Sequence, residues 1–257
     1  SEESYSLATA YGLFHWGISA WSIYGIPAIA LSIAFYKYKL NSLRLSSSLT
    51  GLGITNIEST YFGRFIDLIF ILSTVGAAGG TIGSYVPMLS NGFSDLLNIK
   101  NGLHVDIGVI CFCVGLFGFS VYKGLDKGIK NLSTFNLSLA LIFLVLILWT
   151  SDFLGLLGTA LSGIKYSVTY FWDMSTLGIL ENSDFAREWT IFYWALWVAF
   201  GPLVGLFIAR ISKGRSLREI IFGMLFFGTL GTWMFYLILG GYAMNMELSG
   251  DMQVSNN

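Results

Sequence analysis

Residues 189–215 read WTIFYWALWVAFGPLVGLFIARISKGR, and the reading of this stretch decides the fold. From Trp189 to Ala209 it carries no formal charge, and it then closes on Arg210, Lys213 and Arg215. The apolar part matches the ~20 residues that a helix needs to cross a bilayer. Trp189, Trp194 and Trp197, with Tyr193 and several phenylalanines, crowd its first half. Gly201-Pro202 follows near the middle and predicts an interruption, because proline removes a backbone donor and frees the carbonyl one turn earlier. Lipid does not satisfy such a carbonyl, so a break at this depth must face protein or a polar cavity. An aromatic-rich helix broken inside the membrane is expected to form half of a small-molecule site.

The composition agrees. The chain has 257 residues, 54% of them hydrophobic and only 11% charged, against about 25% charged in ordinary soluble domains. A net charge of −1 points to no class of partner. Nucleic acid is excluded as one, because the basic residues sit in short loops rather than in one patch. Cys111 and Cys113 point about 200° apart on a helix, so they do not pair, and buried packing is expected of them. The first residue is not methionine and no secretory signal is visible, which predicts a processed chain or a part of a longer one.

Five further segments are long, apolar and free of charge. They run from about Ala8 to Tyr36, Leu68 to Leu89, Ile107 to Tyr122, Thr134 to Thr150 and Ile220 to Met244. The expected fold class is therefore all-α integral membrane, with about six transmembrane helices in a single membrane domain over residues 1–257. Residues 151–188 are too polar to span and are expected to form an extracytoplasmic connection, with one or two surface helices within Leu154 to Phe171. Asn41 to Tyr61 is expected to be a connecting loop. Glycines recur in the second span (Gly76, Gly79, Gly80, Gly83) and in the sixth (Gly223, Gly228, Gly231, Gly240, Gly241), where small residues predict close helix packing.

Six alternating spans place eleven of the fourteen basic residues on one side, in the loops after the first, third and fifth spans. Lys100, Lys165 and Arg187 fall on the other side. There they join Asp152, Asp173, Glu181, Asp184 and Glu188, together with Glu2, Glu3, Glu247 and Asp251 at the chain ends. The basic loops are expected to be cytoplasmic, in a cell (inner) membrane, with both ends of the segment extracytoplasmic.

The sequence has no zinc-ligand spacing, phosphate loop or dinucleotide fingerprint, and no nucleophile–base set, so no enzyme activity and no cofactor is expected. His15 is expected to be a hydrogen-bonded packing residue rather than a proton carrier. Asp67, one turn beyond Arg64, is expected to pair with it. With no charge inside any span, a substrate must be held by aromatics, backbone and hydroxyls. Trp16, Trp21 and Tyr24 fall within about 140° of one face of the first span. Trp194, Trp197 and Phe200 form a slanting stripe on the fifth. Two such faces meeting would cage a quaternary ammonium group, which has no N–H to satisfy and loses little hydration beside aromatic rings. The same spacing also fits ordinary packing or an interfacial belt.

FHWGISAWSIY (14–24), GLDKGIKNLSTFN (124–136) and 189–220, above all ARISKGRSLRE, resemble the betaine/choline/carnitine transporter family. The resemblance runs in order over nearly the whole chain. It implies part of a leucine-transporter-like fold of two inverted five-helix repeats, usually a homotrimer. It also implies transport of a quaternary ammonium or sulfonium osmolyte by sodium or proton coupling or by exchange. The family's aromatic box falls on Trp16, Trp21, Tyr24 and Trp197, and Trp194 matches a further family tryptophan. Leu196 and Phe200 stand where tryptophan is usual. Thr74 matches a sodium-site threonine, whereas Ala78 and Leu203 replace a usual threonine and phenylalanine. The chain corresponds to about the fourth to ninth of some twelve spans. It is therefore read either as a portion of a transporter or as a chain completed by a partner that supplies the missing spans. A non-transporting scaffold or assembly subunit derived from the family is the alternative.

Overall fold

The computed structural model describes residues 2–40, 44–54, 56–124, 128, 130–176 and 184–250. Of the charges used to orient the chain, Lys127, Glu181 and Asp251 lie outside these residues, as do the side chains of Glu2, Asp184 and Arg187. The described residues are helical almost throughout and contain no strand. Helix is the fold that satisfies every backbone group inside its own segment, and lipid demands that of a spanning chain.

The helices are α1 (Glu2–Trp16), α2 (Ile18–Ser32), α3 (Tyr61–Leu97), α4 (Leu103–Tyr122), α5 (Lys130–Thr150), α6 (Phe153–Thr169), α7 (Phe171–Thr176), α8 (Asp184–Ile211), α9 (Leu217–Phe222), α10 (Thr229–Phe235) and α11 (Gly241–Ser249). Six helical stretches are long and apolar enough to cross a membrane: Glu3–Lys37, Tyr61–Leu97, Leu103–Tyr122, Lys130–Thr150, Glu188–Ile211 and Leu217–Ser249. They coincide with the six segments expected from hydropathy, with ends extended by polar residues that hydropathy alone does not count. Residues 153–176 form α6 and α7, as their mixed pattern predicts. The connection after the first span is more ordered than a plain loop, with 3₁₀ turns at Leu45–Leu52 and Ile57–Ser59.

One backbone expectation is corrected. The fifth span is not interrupted at Gly201-Pro202, because α8 runs through Pro202 as one helix. The break lies in the first span, at Gly17, between α1 and α2. Proline costs a helix one hydrogen bond, and a long membrane helix can absorb that. The sixth span carries a second departure: six- and five-residue π turns at Gly223–Gly228 and Tyr236–Gly240 flank α10. Each π turn shifts the register of the following helix.

The chain forms two compact units, Ser1–Thr74 with Ile147–Asn257, and Val75–Leu146. In the first, α2 packs along α8 and α1 along α6. The α2–α8 contact is close at Gly205, where a Cβ would lie 2.8 Å from Ala28 N and 2.9 Å from the Pro27 carbonyl carbon. Backbone meets backbone here, so no side chain can swing aside. Gly205→Ala is expected to destabilise the protein by about 1–3 kcal/mol, read as a lowered melting temperature of the purified protein. The α1–α6 contact uses small polar residues. Ser6 Oγ and Ser162 Oγ are 2.6 Å apart, and a Cβ on Gly163 would come within 2.4 Å of Thr9 Cγ2. Small and hydroxyl residues are the usual means by which apolar helices associate in lipid.

In the second unit, Val86 of α3 meets Val105 and Val109 of α4, with Cys113 against them. Cys111 is exposed, not buried as expected, because the 200° between the cysteines lets only one of them face this cluster. The glycine expectation is also corrected. A Cβ on Gly76, Gly79, Gly80 or Gly83, or on Gly223, Gly231 or Gly240, would meet no atom within 4 Å among the described residues. Only Gly228, against Trp21, and Gly241, against Leu156, make the close approach that the pattern suggested.

Candidate functional site: an aromatic cluster at a helix break

The first unit's main core joins α2 and α8 through Ala20, Tyr24, Ala28, Trp197 and Ile208, with Ile220 and Met224 from the sixth span. Trp16, Trp21, Tyr193, Trp194, Leu196 and Phe200 are partly buried around it. The residues that the two helical faces singled out therefore come together. Trp197 is the centre, and only 6% of it is exposed. Its ring meets Trp16 at 4.6 Å and 78°, and Tyr24 at 5.7 Å and 76°. Tyr24 in turn meets Trp21 at 5.9 Å and 81°. Consecutive rings thus stand nearly perpendicular, in edge-to-face contact.

Trp194 and Phe200 sit at the edge. Trp194 turns toward Phe14, 6.2 Å away, and toward a second cluster built on Ala10, Tyr11, Phe14 and Met174. Sequence reasoning missed two rings of the set. Tyr193 stacks on Trp197 at 5.9 Å and 21°, and Tyr236 lies 5.8 Å from Trp16. Tyr193 was legible in principle, since residues four apart share a helix face. Tyr236 was not, because the two π turns decide which side of the sixth span it occupies.

The break at Gly17 explains how the rings are held. The last four carbonyls of a helix have no partner inside it. In α1 these are Leu13, Phe14, His15 and Trp16, and each accepts a hydrogen bond from a side chain. Trp233 Nε1 donates to Leu13 O at 2.9 Å. Ser19 Oγ donates to Phe14 O. Trp197 Nε1 donates to His15 O at 2.9 Å, and Thr232 Oγ1 donates to Trp16 O at 2.6 Å. Trp197 is thus both a wall of the aromatic set and a cap on the broken helix. The broken span is the one that carries FHWGISAW, not the one that carries Pro202.

His15 behaves as a satisfied packing residue. It is 3% exposed, shares a 2.8 Å hydrogen bond with Thr190 Oγ1, and lies 4.8 Å from the Tyr193 ring. Asp67 does not pair with Arg64. Its carboxylate accepts the Ser46 N–H and hydroxyl at 2.9 Å each, and Arg64 lies over the Tyr61 ring. Two aligned donors from a 3₁₀ turn outcompete a flexible guanidinium one turn away.

Thr74 is half-buried in α3, and its hydroxyl is buried without a hydrogen-bond partner. Ala78 offers no side-chain oxygen, and Leu203 on α8 is 40% exposed. No group of three or more His, Cys, Asp or Glu that could hold a metal ion occurs among the described residues.

Fold and site together define an all-α, multi-pass membrane protein with an aromatic cluster seated on a broken span. Residues 1–257 match the model of the betaine/carnitine/choline family of transporters. The chain is 32% identical over 256 residues to a carnitine transporter of Acinetobacter baumannii, covering 99% of this chain and 46% of that protein. It is 32% identical over 251 residues to the glycine betaine transporter OpuD of Bacillus subtilis, covering 96% and 49%. It is 31% identical over 245 residues to the high-affinity choline transport protein of Escherichia coli, covering 95% and 36%. The chain belongs to the betaine/carnitine/choline transporter family, whose members are transporters rather than enzymes. It spans less than half the length of each of these three relatives.

Proposed function

We propose that this chain is the substrate-binding portion of a secondary transporter for a quaternary ammonium or sulfonium osmolyte, with the onium group held by Trp16, Trp21, Tyr24 and Trp197. The observation that carries this reading is the convergence of those four rings, from two spans without internal charge, at a break whose carbonyls are all occupied. With its carbonyls capped, the break presents aromatic faces rather than bare oxygens. Aromatic faces suit a cation whose charge is spread over methyl groups, and they return too little to a compact hydrated cation for the water it loses. The basic loops are placed in the cytoplasm by their lysines and arginines.

The test is binding of glycine betaine, choline and carnitine by the full-length transporter in proteoliposomes, with tetramethylammonium as competitor. Saturable binding that tetramethylammonium displaces is the expected result. Binding of none of these compounds by a folded protein would overturn the reading and favour a scaffold derived from the family.

We further propose that sodium coupling through Thr74 is weak. Sodium is a hard cation that takes several oxygen ligands, as other hard cations do. Thr74 supplies one hydroxyl and Ala78 none, so lost hydration is poorly replaced. Sodium dependence of uptake is expected to be weak or to rest on a site outside this chain, and Ala78→Thr is expected to raise the sodium response. A steep sodium requirement that vanishes in Thr74→Ala would contradict this.

A further inference from the structure

We propose that Thr232 and Trp233, on the sixth span, are positioning residues for the onium site. They act through the end of α1 rather than by touching the ligand. The inference rests on the function proposed above and adds two residues that the aromatic pattern does not contain.

Thr232 and Trp233 lie on α10, between the two π turns. Gly228, Thr232, Trp233 and Tyr236 occupy offsets 0, 4, 5 and 8, which share one face of a helix. Each of them touches the first span. A Cβ on Gly228 would lie 2.5 Å from the Trp21 ring. Tyr236 lies 5.8 Å from Trp16, and Thr232 and Trp233 hydrogen-bond the carbonyls of Trp16 and Leu13. This face therefore grips both sides of the Gly17 junction.

The grip bears on the rings directly. The Trp16 side chain leaves the chain at the residue whose carbonyl Thr232 holds. The Trp197 indole is oriented by its bond to His15 O, the neighbouring carbonyl. Moving the end of α1 therefore moves one wall of the aromatic set and the anchor of another. The Thr232 hydroxyl has a single hydrogen and alternative acceptors in its own helix, Thr229 O at 3.0 Å and Gly228 O at 3.2 Å. The 2.6 Å bond to Trp16 O is the shortest of the three. Trp233 Nε1 makes a single such bond, to Leu13 O.

The experiment uses the full-length transporter and compares Thr232→Val, Thr232→Ser and Trp233→Phe. Valine keeps the shape of threonine and loses the hydroxyl, whereas serine keeps the hydroxyl. Two readouts are taken: glycine betaine uptake, and amide hydrogen exchange over residues 17–21. Loss of one hydrogen bond predicts that Thr232→Val and Trp233→Phe raise the KM by about 3–10-fold with little change in maximal rate. Exchange over 17–21 should rise in the same variants, and Thr232→Ser should stay near wild type in both. Wild-type KM and wild-type exchange in Thr232→Val and Trp233→Phe would overturn the proposal. So would a fall in maximal rate and in melting temperature with KM unchanged, since that describes packing alone. If the wild-type protein transports no onium compound, the proposed function fails, and exchange over 17–21 still decides whether these residues hold the junction.

Discussion

Trp197→Leu is expected to weaken binding of a betaine-type ligand by about 5–30-fold, which corresponds to one desolvated cation–π contact of about 1–2 kcal/mol. Leucine keeps an apolar side chain and removes the quadrupole that attracts the cation. It also removes the Nε1–H that occupies His15 O, and an orphaned buried carbonyl costs about 1–3 kcal/mol of stability. Affinity and thermal stability should therefore fall together in Trp197→Leu. Trp197→Phe separates the two effects, because it keeps an aromatic face and loses the N–H. It should bind more tightly than leucine and melt about as low. Trp189→Leu is the control. Trp189 is 44% exposed, and its ring lies 5.9 Å from Tyr193 and is not one of the four rings of the proposed site. Isothermal or tryptophan-fluorescence titration of the full-length protein measures each variant. Unchanged affinity in Trp197→Leu, or an equal loss in Trp189→Leu, would return these aromatics to ordinary packing.

Gly17→Ala is expected to be strongly damaging to both folding and the aromatic site. A Cβ there would lie 2.3 Å from Leu13 O and 2.5 Å from Trp233 Nε1, the two atoms joined by the first capping bond. The carbonyl is backbone and the indole is fixed by its own hydrogen bond, so the methyl is accommodated only by opening the junction. Overpacking of this kind costs about 1–3 kcal/mol, and the freed Leu13 carbonyl adds the cost of an unpaired buried acceptor. The expected result is a large drop in melting temperature together with loss of onium binding. Gly223→Ala is the matched control in another span, since its Cβ would meet nothing within 4 Å among the described residues. Equal melting temperatures in the two variants would show that the Gly17 junction is not a close-packed point.

Hydropathy and charge were enough to define the class of protein. Six apolar runs, with few charges and basic loops at alternate ends, leave helices as the one secondary structure that lipid tolerates here. The aromatic faces were legible for the same reason. Helical periodicity puts Trp21 and Tyr24 on one side of the first span and Trp197 on a face of the fifth, and the structure brings these rings together with Trp16, which the break at Gly17 leaves on the preceding helix. His15 as a satisfied packing residue was readable too, since no span carries a carboxylate that it could work with.

The place of the break was not legible. Proline is a local signal and marks where a donor is missing, so the sequence pointed to Pro202. Whether a helix breaks depends instead on whether the freed carbonyls find new donors. For α1 those donors come from Ser19 close by, but also from Trp197 and from Thr232 and Trp233, about 180 to 220 residues along the chain. Asp67 took Ser46 over Arg64 for the same kind of reason, because a turn 21 residues away offered two aligned donors. Glycine spacing likewise did not say which glycines are gripped: Gly205, Gly228 and Gly17 are, and Gly79 and Gly80 are not. Periodicity along one helix sets which residues share a face. Only the tertiary structure decides which face meets a partner, because hydrogen bonds and close contacts between spans depend on positions that no single segment encodes.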